Sequence, residues 1–210
     1  MLHQPLRHPG FVAPCLPSKA VKPPEGPGWF HEIKHDGFRM MIYRDRDQVK
    51  LLTRNGNDWA DQFPAVVAAA LALRSSAFLI DGEVVVANGE GVTDFDRLRH
   101  RRHGGEAFLW AFDVLAVHGD DLRGAALEAR KAELGRLLKR APTGIALNEH
   151  HEGDGPALFA AACARGLEGI VSKRIGSRYR SGRSDDWRKS KNPVSAAALR
   201  EATEDWSRRR

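Results

Sequence analysis

Short apolar runs, separated by charged or glycine-containing turns, cover most of the chain. The runs that start at Trp29, Phe38 and Gln48 are rich in β-branched and aromatic residues, and an Asp-Gly pair and an Asp-Arg-Asp segment separate them. This pattern predicts antiparallel strands joined as hairpins. Further apolar runs flank Asp81–Gly82 and cover residues 107–117. The sequence therefore predicts that the sheet continues through these segments.

Helical patterns occur between the strand-like runs. Four helices are predicted, at about 60–73, 94–102, 127–140 and 156–166. Asp154 is placed to cap the last of these helices and Gly166 to end it. Two more strands are predicted at 167–175 and 186–192. Because strands and helices do not alternate regularly, the predicted fold class is α+β, with mainly antiparallel sheets flanked by helices.

The two ends of the chain differ from its middle. Residues 1–28 contain seven prolines. Proline has no amide hydrogen and interrupts helices, so we expect an extended arm laid over a folded body that starts near Trp29. The pattern of 193–210 predicts one short helix with a basic end. The predicted organisation is therefore an arm (1–28), a folded domain (29–192) and a tail (193–210).

Composition limits the classes of protein that fit. The chain has 33 lysines and arginines and 27 aspartates and glutamates, which gives a net charge of +6. This charge is compatible with a polyanionic partner, but solubility alone would also explain it. Cys15 and Cys163 lack the spacing of a disulfide framework or a thiolate metal site. The start has no apolar signal core, and the longest apolar run, 65–73, is too short to cross a bilayer. We expect a soluble cytoplasmic monomer without a membrane partner.

Polar clusters interrupt five of the apolar runs. They are EIKHDGFR at 32–39, TRNG at 53–56, IDGEVV at 80–85, LEGIVSKR at 167–174 and WRKSK at 187–191. Each one alone could be a solvated strand edge, but such interruptions also mark functional sites. The sequence contains neither GxGxxG nor GxxxxGKS/T, so a nucleotide site here would not be of the Rossmann or Walker type.

The order of these clusters resembles that in the adenylation domain of ATP-dependent DNA ligases, which are covalent nucleotidyltransferases. The family signature KxDGxR is present as Lys34, Asp36, Gly37 and Arg39. Further motif residues follow it in the family's order: Arg54, Glu83, Phe112, Glu168, Lys173, Lys189 and Lys191. The similarity runs from about Pro14 to Asn192. It is greatest to the ligase domain of bacterial non-homologous end-joining enzymes and to related short ligase-like proteins. The resemblance implies a covalent nucleotidyltransferase (ATP-grasp-like) fold.

The chain departs from the family pattern in several places. Thr53 replaces the usual serine of the SRNG turn, and Arg188 and Ser190 stand where apolar residues are common. Ligases of this family normally continue into an OB-fold, and too few residues follow Lys191 for such a barrel. We therefore expect no OB-fold, and a separate OB-fold or end-joining protein as partner.

The resemblance implies a nucleophilic role for Lys34. It would attack the α-phosphate of ATP, expel pyrophosphate and hold AMP as a phosphoramidate, before AMP passes to a DNA 5′-phosphate and a 3′-hydroxyl seals the nick. A free lysine has a pKa of about 10.4, so this one needs neighbours that disfavour its charge. Lys173, Lys189 and Lys191 would do this if they converge, and they would also neutralise the triphosphate.

Two carboxylates are implied as metal ligands. Glu83 and Glu168 suit Mg²⁺ (or Mn²⁺), which prefers oxygen ligands and takes one or two carboxylates beside substrate phosphates. Without the resemblance, surface salt bridges would be the simpler interpretation of both. Asp36 and Asp81 are expected to shape their Asp-Gly turns instead.

The nucleotide-binding residues implied by the resemblance are Glu32, Ile33, Arg39, Arg54 and Phe112. Glu32 would accept a hydrogen bond from the adenine amino group, and Phe112 would stack on the base. Arg39 and Arg54 would contact the ribose or the phosphate of the nucleic acid end. Phe112 would equally suit a core position, which is the commoner place for an aromatic residue in an apolar strand.

Two basic runs are candidates for contacts with nicked or broken duplex DNA. The first contains Arg178, Arg180 and Arg183, with Tyr179 between them, and the second covers 97–103. Arginine matches phosphate oxygens and gives salt-dependent affinity without sequence preference. Both runs would also suit solvated surfaces. A bacterial, nucleoid-associated location follows from the resemblance.

Two other interpretations remain open at this point. The protein could be an accessory module of end joining that binds nucleotide or DNA without turnover, although the presence of all the chemical residues favours an enzyme. It could also be an RNA ligase or a capping-type nucleotidyltransferase, and competition between ATP and GTP would discriminate between these classes.

Overall fold

The computed structural model describes residues 11–87, 93–99 and 106–200. The strands are β1 Cys15–Lys19, β2 Trp29–Ile33, β3 Phe38–Asp45, β4 Gln48–Thr53, β5 Ala77–Val85, β6 Phe108–Val117, β7 Asp120–Asp121, β8 Ile145–Leu147, β9 His150–Glu152, β10 Gly169–Arg174 and β11 Gly182–Lys191. The helices are α1 Pro64–Ala72, α2 Phe95–Arg99, α3 Leu127–Leu138 and α4 Gly155–Ala164, with a 3-10 turn at Ala60–Gln62. Residues 196–200 are also helical. The predicted helices and strands are confirmed in the described residues, apart from the corrections below.

The first sheet has the strand order β1-β11-β10-β2-β9. Its neighbours are antiparallel except for β1, which runs parallel to β11. This edge strand comes from the proline-rich segment that the sequence assigned to an arm before Trp29. It is extended, as expected, but it is hydrogen-bonded into the sheet. Within the described residues, β11 is the last strand in sequence and lies between the first strand, β1, and β10.

The second sheet has the order β4-β3-β5-β6-β7, with β8 parallel to β6. The predicted hairpin between β3 and β4 is confirmed, and Arg46 in its turn has a left-handed backbone with φ of 54°. The predicted hairpin between β2 and β3 is wrong, because these strands belong to different sheets. The linker between them passes against β5 at Gly37, where a Cβ would lie 2.2 Å from the carbonyl oxygen of Val84.

The predicted turn at Asp81–Gly82 is also wrong. β5 runs through both residues as one continuous strand, and its register with β6 shifts beside them. Gly82 is needed for close packing, since a Cβ there would lie 2.8 Å from the carbonyl oxygen of Trp110. Asp81 is buried within the strand and pairs with Arg39 on β3. The motif therefore marks a close approach of strands and a buried ion pair, not a reversal of the chain.

The core has two parts, one on each face of the second sheet. Alternate residues of β3 point to opposite faces, as strand geometry requires. Met40 and Ile42 pack in the larger cluster, which includes residues of α1 and α3. Met41 and Tyr43 pack in the smaller cluster with Trp187 of the first sheet. The two sheets thus pack through the smaller cluster, and helices cover the other face of the second sheet. The α+β prediction is confirmed.

The predicted end signals of α4 are observed. The Asp154 side chain accepts a hydrogen bond from the backbone N–H of Ala157 at 2.9 Å. Gly166 follows the helix with φ of 70°. Among the residues that the structure describes, no helix is both long and apolar enough to cross a membrane.

Candidate active site

Lys34 lies directly after β2, at the start of the segment that connects the two sheets. Its backbone N–H donates to the carbonyl of Gly169 at 2.9 Å, which fixes it against the start of β10. Its Nζ donates to Glu168 Oε2 at 2.6 Å, and Lys191 Nζ lies 3.0 Å from Glu168 Oε1. Glu168 is buried, so these ion pairs are not surface salt bridges. One carboxylate thus holds two lysines that are far apart in the sequence.

A cavity of about 230 Å³, called here the apolar cavity, opens beside Lys34. Ile33, Phe112, Val171 and Trp187 give it apolar walls. It brings together many of the residues that the sequence predicted: Glu32, Ile33, Lys34, Arg39, Arg54, Glu83, Phe112, Lys173 and Lys189. A concave site with apolar walls and convergent polar groups is typical of a small-molecule site.

A second cavity of about 270 Å³, called here the charged cavity, also includes Lys34. Its charged residues are Lys34, Asp36, Glu83, Glu168, Lys189, Lys191 and Arg200. Lys34, Glu83 and Lys189 line both cavities, so the two spaces meet at Lys34. The predicted convergence of the motif lysines is therefore observed around these two cavities.

Glu83 lies among other carboxylates in the charged cavity. Burial raises its pKa to about 7, Glu168 and Asp81 add to this, and Lys34 and Arg39 oppose it. The described residues contain no group of three or more His, Cys, Asp or Glu side chains arranged to hold a metal ion. Two carboxylates beside phosphate and water oxygens are nevertheless the usual arrangement for Mg²⁺. Carboxylates crowded into one cavity fit a cation of this kind.

Glu32 is buried on β2 between two lysines. Lys131 Nζ donates to Oε1 at 2.8 Å, and Lys173 Nζ lies 2.8 Å from Oε2. Burial alone would raise the pKa of Glu32, but the two lysines outweigh burial and lower it. The carboxylate is therefore ionised and fixed in orientation at the wall of the apolar cavity.

Lys131 was missed by the sequence-based prediction. It lies on α3, where the buried residues are Leu127, Arg130, Lys131, Leu134 and Leu138. This spacing is that of the apolar face of a helix. Two basic residues on that face were therefore a signal of buried partners. Arg130 donates to both carboxylate oxygens of Asp113, and both side chains are fully buried.

Lys173 and Phe112 contact each other in the apolar cavity. Lys173 Nζ donates to the carbonyl of Phe112 at 3.2 Å and lies 4.6 Å from the centre of its ring. Burial lowers the pKa of Lys173, and the Glu32 carboxylate opposes this. The positive charge of Lys131, which binds the same carboxylate, lowers the pKa further. The Phe112 ring meets Trp187 edge to face at 6.1 Å. It is only partly buried, so it is a wall of the cavity as well as part of the core.

Arg39 is held by a buried network. Its Nη2 donates to Asp81 Oδ2 at 2.6 Å, its Nε donates to Oδ1 at 3.0 Å, and its Nη1 donates to the carbonyl of Cys15 at 2.6 Å. Tyr179 completes the network, since its hydroxyl donates to Asp81 at 2.7 Å and accepts from the N–H of Cys15. The network joins β1, β3 and β5. The expectation that Tyr179 contacts DNA is wrong, because this network buries it.

Arg54 lies at the turn after β4 and lines the apolar cavity. The turn is stabilised by Thr53, whose hydroxyl accepts a hydrogen bond from the N–H of Asn57 at 3.1 Å. Serine would present the same oxygen, so the substitution keeps this contact. Gly56 has φ of 84°, which suits glycine at this position of the turn.

The three arginines proposed as DNA contacts lie away from both cavities, in and beside the loop between β10 and β11. Arg178, Arg180 and Arg183 are exposed, and Tyr179 between them is buried. The alternation directs the guanidinium groups of Arg178 and Arg180 outward, and Arg183 is exposed at the start of β11. Of the second basic run, residues 100–103 lie outside the described residues.

His35 and Asn148 form a second part of the site that the sequence did not reveal. The His35 ring stacks on Trp110, with 4.8 Å between ring centres, and its Nε2 lies 3.1 Å from Asn148 Oδ1. Asn148 Nδ2 donates to the carbonyl of Ile33. Burial lowers the pKa of His35 to about 4, so the ring is neutral. These contacts hold the backbone on both sides of Lys34.

Arg188 and Ser190, where apolar residues were expected, pack differently from each other. The Arg188 guanidinium lies 5.3 Å from the centre of the Trp29 ring, so an arginine stacked on an aromatic face replaces apolar packing. Ser190 is buried, and its hydroxyl has no hydrogen-bond partner within the described part of the chain.

Comparison with known proteins agrees with this geometry. A family model described as an ATP dependent DNA ligase domain matches residues 13–191. The chain belongs to this family of ATP-dependent DNA ligase domains. The resemblance drawn from the ordered motifs is thereby confirmed.

The curated relatives are mostly larger proteins. The chain is 41% identical over 187 residues to the multifunctional non-homologous end joining protein LigD of Pseudomonas aeruginosa, covering 87% of this chain and 22% of that protein. It is 30% identical over 184 residues to the SPbeta prophage-derived DNA ligase-like protein LigB of Bacillus subtilis, covering 85% of this chain and 67% of that protein. The chain thus spans about a fifth of the length of the first of these relatives.

Solved structures show the same fold. The ligase domain of LigD from M. tuberculosis superposes with a TM-score of 0.75 and 30% identity, covering 86% of this chain and 59% of that one. A mycobacterial DNA ligase D complexed with ATP and MES gives a TM-score of 0.75 at 29% identity, covering 86% of this chain and 60% of that one. The predicted nucleotidyltransferase fold is confirmed.

Proposed function

We propose that the protein is the catalytic domain of an ATP-dependent DNA ligase that forms a lysyl-AMP intermediate on Lys34. The observation that carries this proposal is the position of Lys34 where the apolar and charged cavities meet. A purine in the apolar cavity and phosphates in the charged cavity would bring the α-phosphate to this lysine. AMP would then pass to a DNA 5′-phosphate, and a 3′-hydroxyl would displace it to seal the nick.

Attack requires Lys34 as a neutral amine. In the structure its Nζ donates to Glu168 Oε2 at 2.6 Å, and a cation bound by Glu168 would weaken this contact and favour the neutral amine. Lys189 and Lys191 line the charged cavity and would neutralise the phosphates, whereas Lys173 lies on the side of the base. Preorganised cations of this kind stabilise charge that develops in the transition state.

Glu83 and Glu168 are proposed as the ligands of Mg²⁺ or Mn²⁺. Both line the charged cavity beside Lys34. A divalent ion bound there supplies positive charge that polarises the phosphates of ATP and offsets the repulsion between carboxylates.

Glu32 is proposed to select adenine by accepting a hydrogen bond from its amino group. Guanine would present a carbonyl oxygen to the same carboxylate, which is repulsive. Phe112 would stack on the base, Ile33 would contact it, and Arg54 would reach the ribose or a phosphate. Arg39 is assigned the same role as Arg54, and its network with Asp81 keeps the guanidinium at the cavity wall.

Nicked or broken duplex DNA is the proposed polymer substrate. Arg178, Arg180 and Arg183 would bind its phosphates, since all three are exposed on the loop before β11 and at the start of that strand. We propose a cytoplasmic, nucleoid-associated monomer whose adenylation domain covers about 29–192, with β1 from the preceding arm as its edge strand. A separate OB-fold or end-joining protein is the proposed partner during sealing.

Incubation with α-³²P-ATP and Mg²⁺ followed by a denaturing gel tests the proposal. The wild-type protein should acquire an acid-labile label whose formation excess GTP does not prevent, and nicked duplex should remove the label. Lys34→Ala should carry none, whereas Lys139→Ala, at an exposed lysine after α3, should be labelled like the wild type. An unlabelled wild type, shown by mass spectrometry to hold no AMP from expression, would contradict the proposal and favour a binding module.

A further inference from the structure

Arg200 is a charged residue of the site that the ligase motifs do not include. It lines the charged cavity together with Lys34, Lys189 and Lys191. It lies beyond β11, in the helical segment 196–200. The cavity therefore has a cation supplied from outside both sheets.

The helical segment is fixed in place by its first residues. Asn192 donates from its backbone N–H to the carbonyl of Glu168 at 2.9 Å and from Nδ2 to the carbonyl of Leu167 at 3.0 Å. Ser195 is buried, and its hydroxyl accepts from the N–H of Ala198 at 3.2 Å. This is the geometry of a helix N-cap. The segment is thus anchored to the residue that holds Lys34.

The side chain of Arg200 reaches back over the cavity. Its Nη2 donates to Asp36 Oδ2, and its guanidinium lies 4.6 Å from the centre of the Phe95 ring. The Arg200 side chain is 26% exposed and that of Asp36 is 19% exposed, so the pair lies at the mouth of the cavity. Both side chains are therefore accessible to solvent and to a ligand that enters the charged cavity.

Asp36 holds Arg200 at the mouth of the cavity in the absence of a ligand. Burial raises the pKa of Asp36, Glu168 adds to this, and Arg200 opposes it. Without ligand, Arg200 therefore offsets the repulsion among the carboxylates of the cavity. A triphosphate brings more negative charge than Asp36 and offers oxygens that match the guanidinium fork in two places.

We propose that Arg200 binds the β- and γ-phosphates of ATP, the group that leaves as pyrophosphate, by exchanging its contact with Asp36 for them. This rests on the proposed function, because it assumes that Lys34 meets the α-phosphate. From that position, the charged cavity continues past Lys34 towards Arg200. Arg200 then discriminates between a nucleoside triphosphate and AMP, which ends at the α-phosphate.

Calorimetric titration with two probes tests this assignment. α,β-Methylene-ATP has all three phosphates but cannot release pyrophosphate, and AMP has one. Arg200→Ala should weaken binding of the analogue by about tenfold and leave AMP binding unchanged, since one charge-assisted contact of about 1.5 kcal/mol is lost. Arg200→Lys should restore part of the affinity. Arg165→Ala, at an exposed arginine after α4, should bind both probes like the wild type.

Asp36→Asn separates phosphate binding from a purely structural contact. It releases Arg200, so the analogue should bind at least as tightly as in the wild type. If the pair served only to hold the helical segment, Asp36→Asn and Arg200→Ala would weaken binding alike. Circular dichroism of each variant checks that the fold is kept.

The outcomes distinguish this inference from the proposed function. If the wild type binds both probes and Arg200→Ala binds the analogue equally well, Arg200 has no role and the adenylation site stands. An equal loss for analogue and AMP would also overturn the assignment. If the wild type binds neither probe, there is no nucleotide site and both proposals fail.

Discussion

Lys131 on helix α3 and Glu32 on strand β2 form a buried ion pair with 2.8 Å between Nζ and Oε1. The pair joins helix α3 to the strand that directly precedes Lys34. Lys131 Nζ also donates to the carbonyl of Asn148. One lysine therefore links Glu32 and Asn148, which both line the apolar cavity.

Lys131→Met should weaken both stability and base selection. The buried Glu32 carboxylate would lose one of its two lysine partners, so the free energy of unfolding should fall by up to about 3 kcal/mol. Glu32 would keep Lys173 but lose its fixed orientation, and the preference for ATP over GTP should narrow. Urea denaturation and nucleotide titration measure these effects. Lys139→Met, at an exposed lysine, is the control, and equal behaviour of the two variants would contradict the account.

Asp81→Ala should destabilise the protein through Arg39. The guanidinium would lose both carboxylate contacts while it stays largely buried, with its side chain 17% exposed. The expected loss in the free energy of unfolding is about 3 kcal/mol or more. Asp61→Ala, at an exposed aspartate in the 3-10 turn, should change little in the same denaturation experiment. If Asp81 only shaped a turn, the two losses would be similar and small.

His35 should make the stability depend on pH. Burial lowers its pKa from 6.5 to about 4, so the unfolded chain binds the proton more tightly than the folded protein does. Its contribution to stability is therefore present above about pH 6.5 and is lost as the pH falls towards 4. His35→Phe keeps a ring to stack on Trp110 but cannot titrate.

Denaturation curves between pH 7.5 and 4.5 (roughly the range in which histidine titrates) measure this effect. The stability of the wild type relative to His35→Phe should decline as the pH falls. The exposed His151 provides a matched control, since His151→Phe should leave the decline in place. A constant difference between wild type and His35→Phe would show that His35 does not titrate in this way.

The exposed arginines of the loop before β11 and of the start of β11 should affect DNA binding but not nucleotide chemistry. Combined replacement of Arg178, Arg180 and Arg183 by alanine should weaken binding to nicked duplex. The slope of log affinity against log salt should fall by about 0.9 for each phosphate contact removed. Labelling of Lys34 by ATP should be unchanged. Replacement of Arg136 and Arg140 at the end of α3 is the control, and an equal loss there would indicate unspecific charge effects.

The sequence predicted several strands and the family because both are read from local order. The run of motifs after Lys34 identified the family, and the apolar alternation located β3 and the capping residue Asp154. These signals are read within a few residues, and the structure and the family comparison confirm them.

The errors and omissions all concern partners that are distant in sequence. Asp81 was assigned to a turn because its ion pair with Arg39 depends on the pairing of β3 with β5. Lys131 was missed because its role depends on α3 packing beside β2, and β1 because a parallel edge strand leaves no local pattern. Arg200 likewise reaches the site only through the anchor of its helical segment at Glu168.

The most direct measurement of the central claim is to locate the bound AMP in the chain. Wild-type protein treated with ATP and Mg²⁺ should be digested under neutral or alkaline conditions, which preserve a phosphoramidate, and sequenced by tandem mass spectrometry. We expect AMP on the side chain of Lys34 and on no other lysine, with none on Lys34→Arg. AMP on another residue, or persistent adenylation of Lys34→Arg, would contradict it.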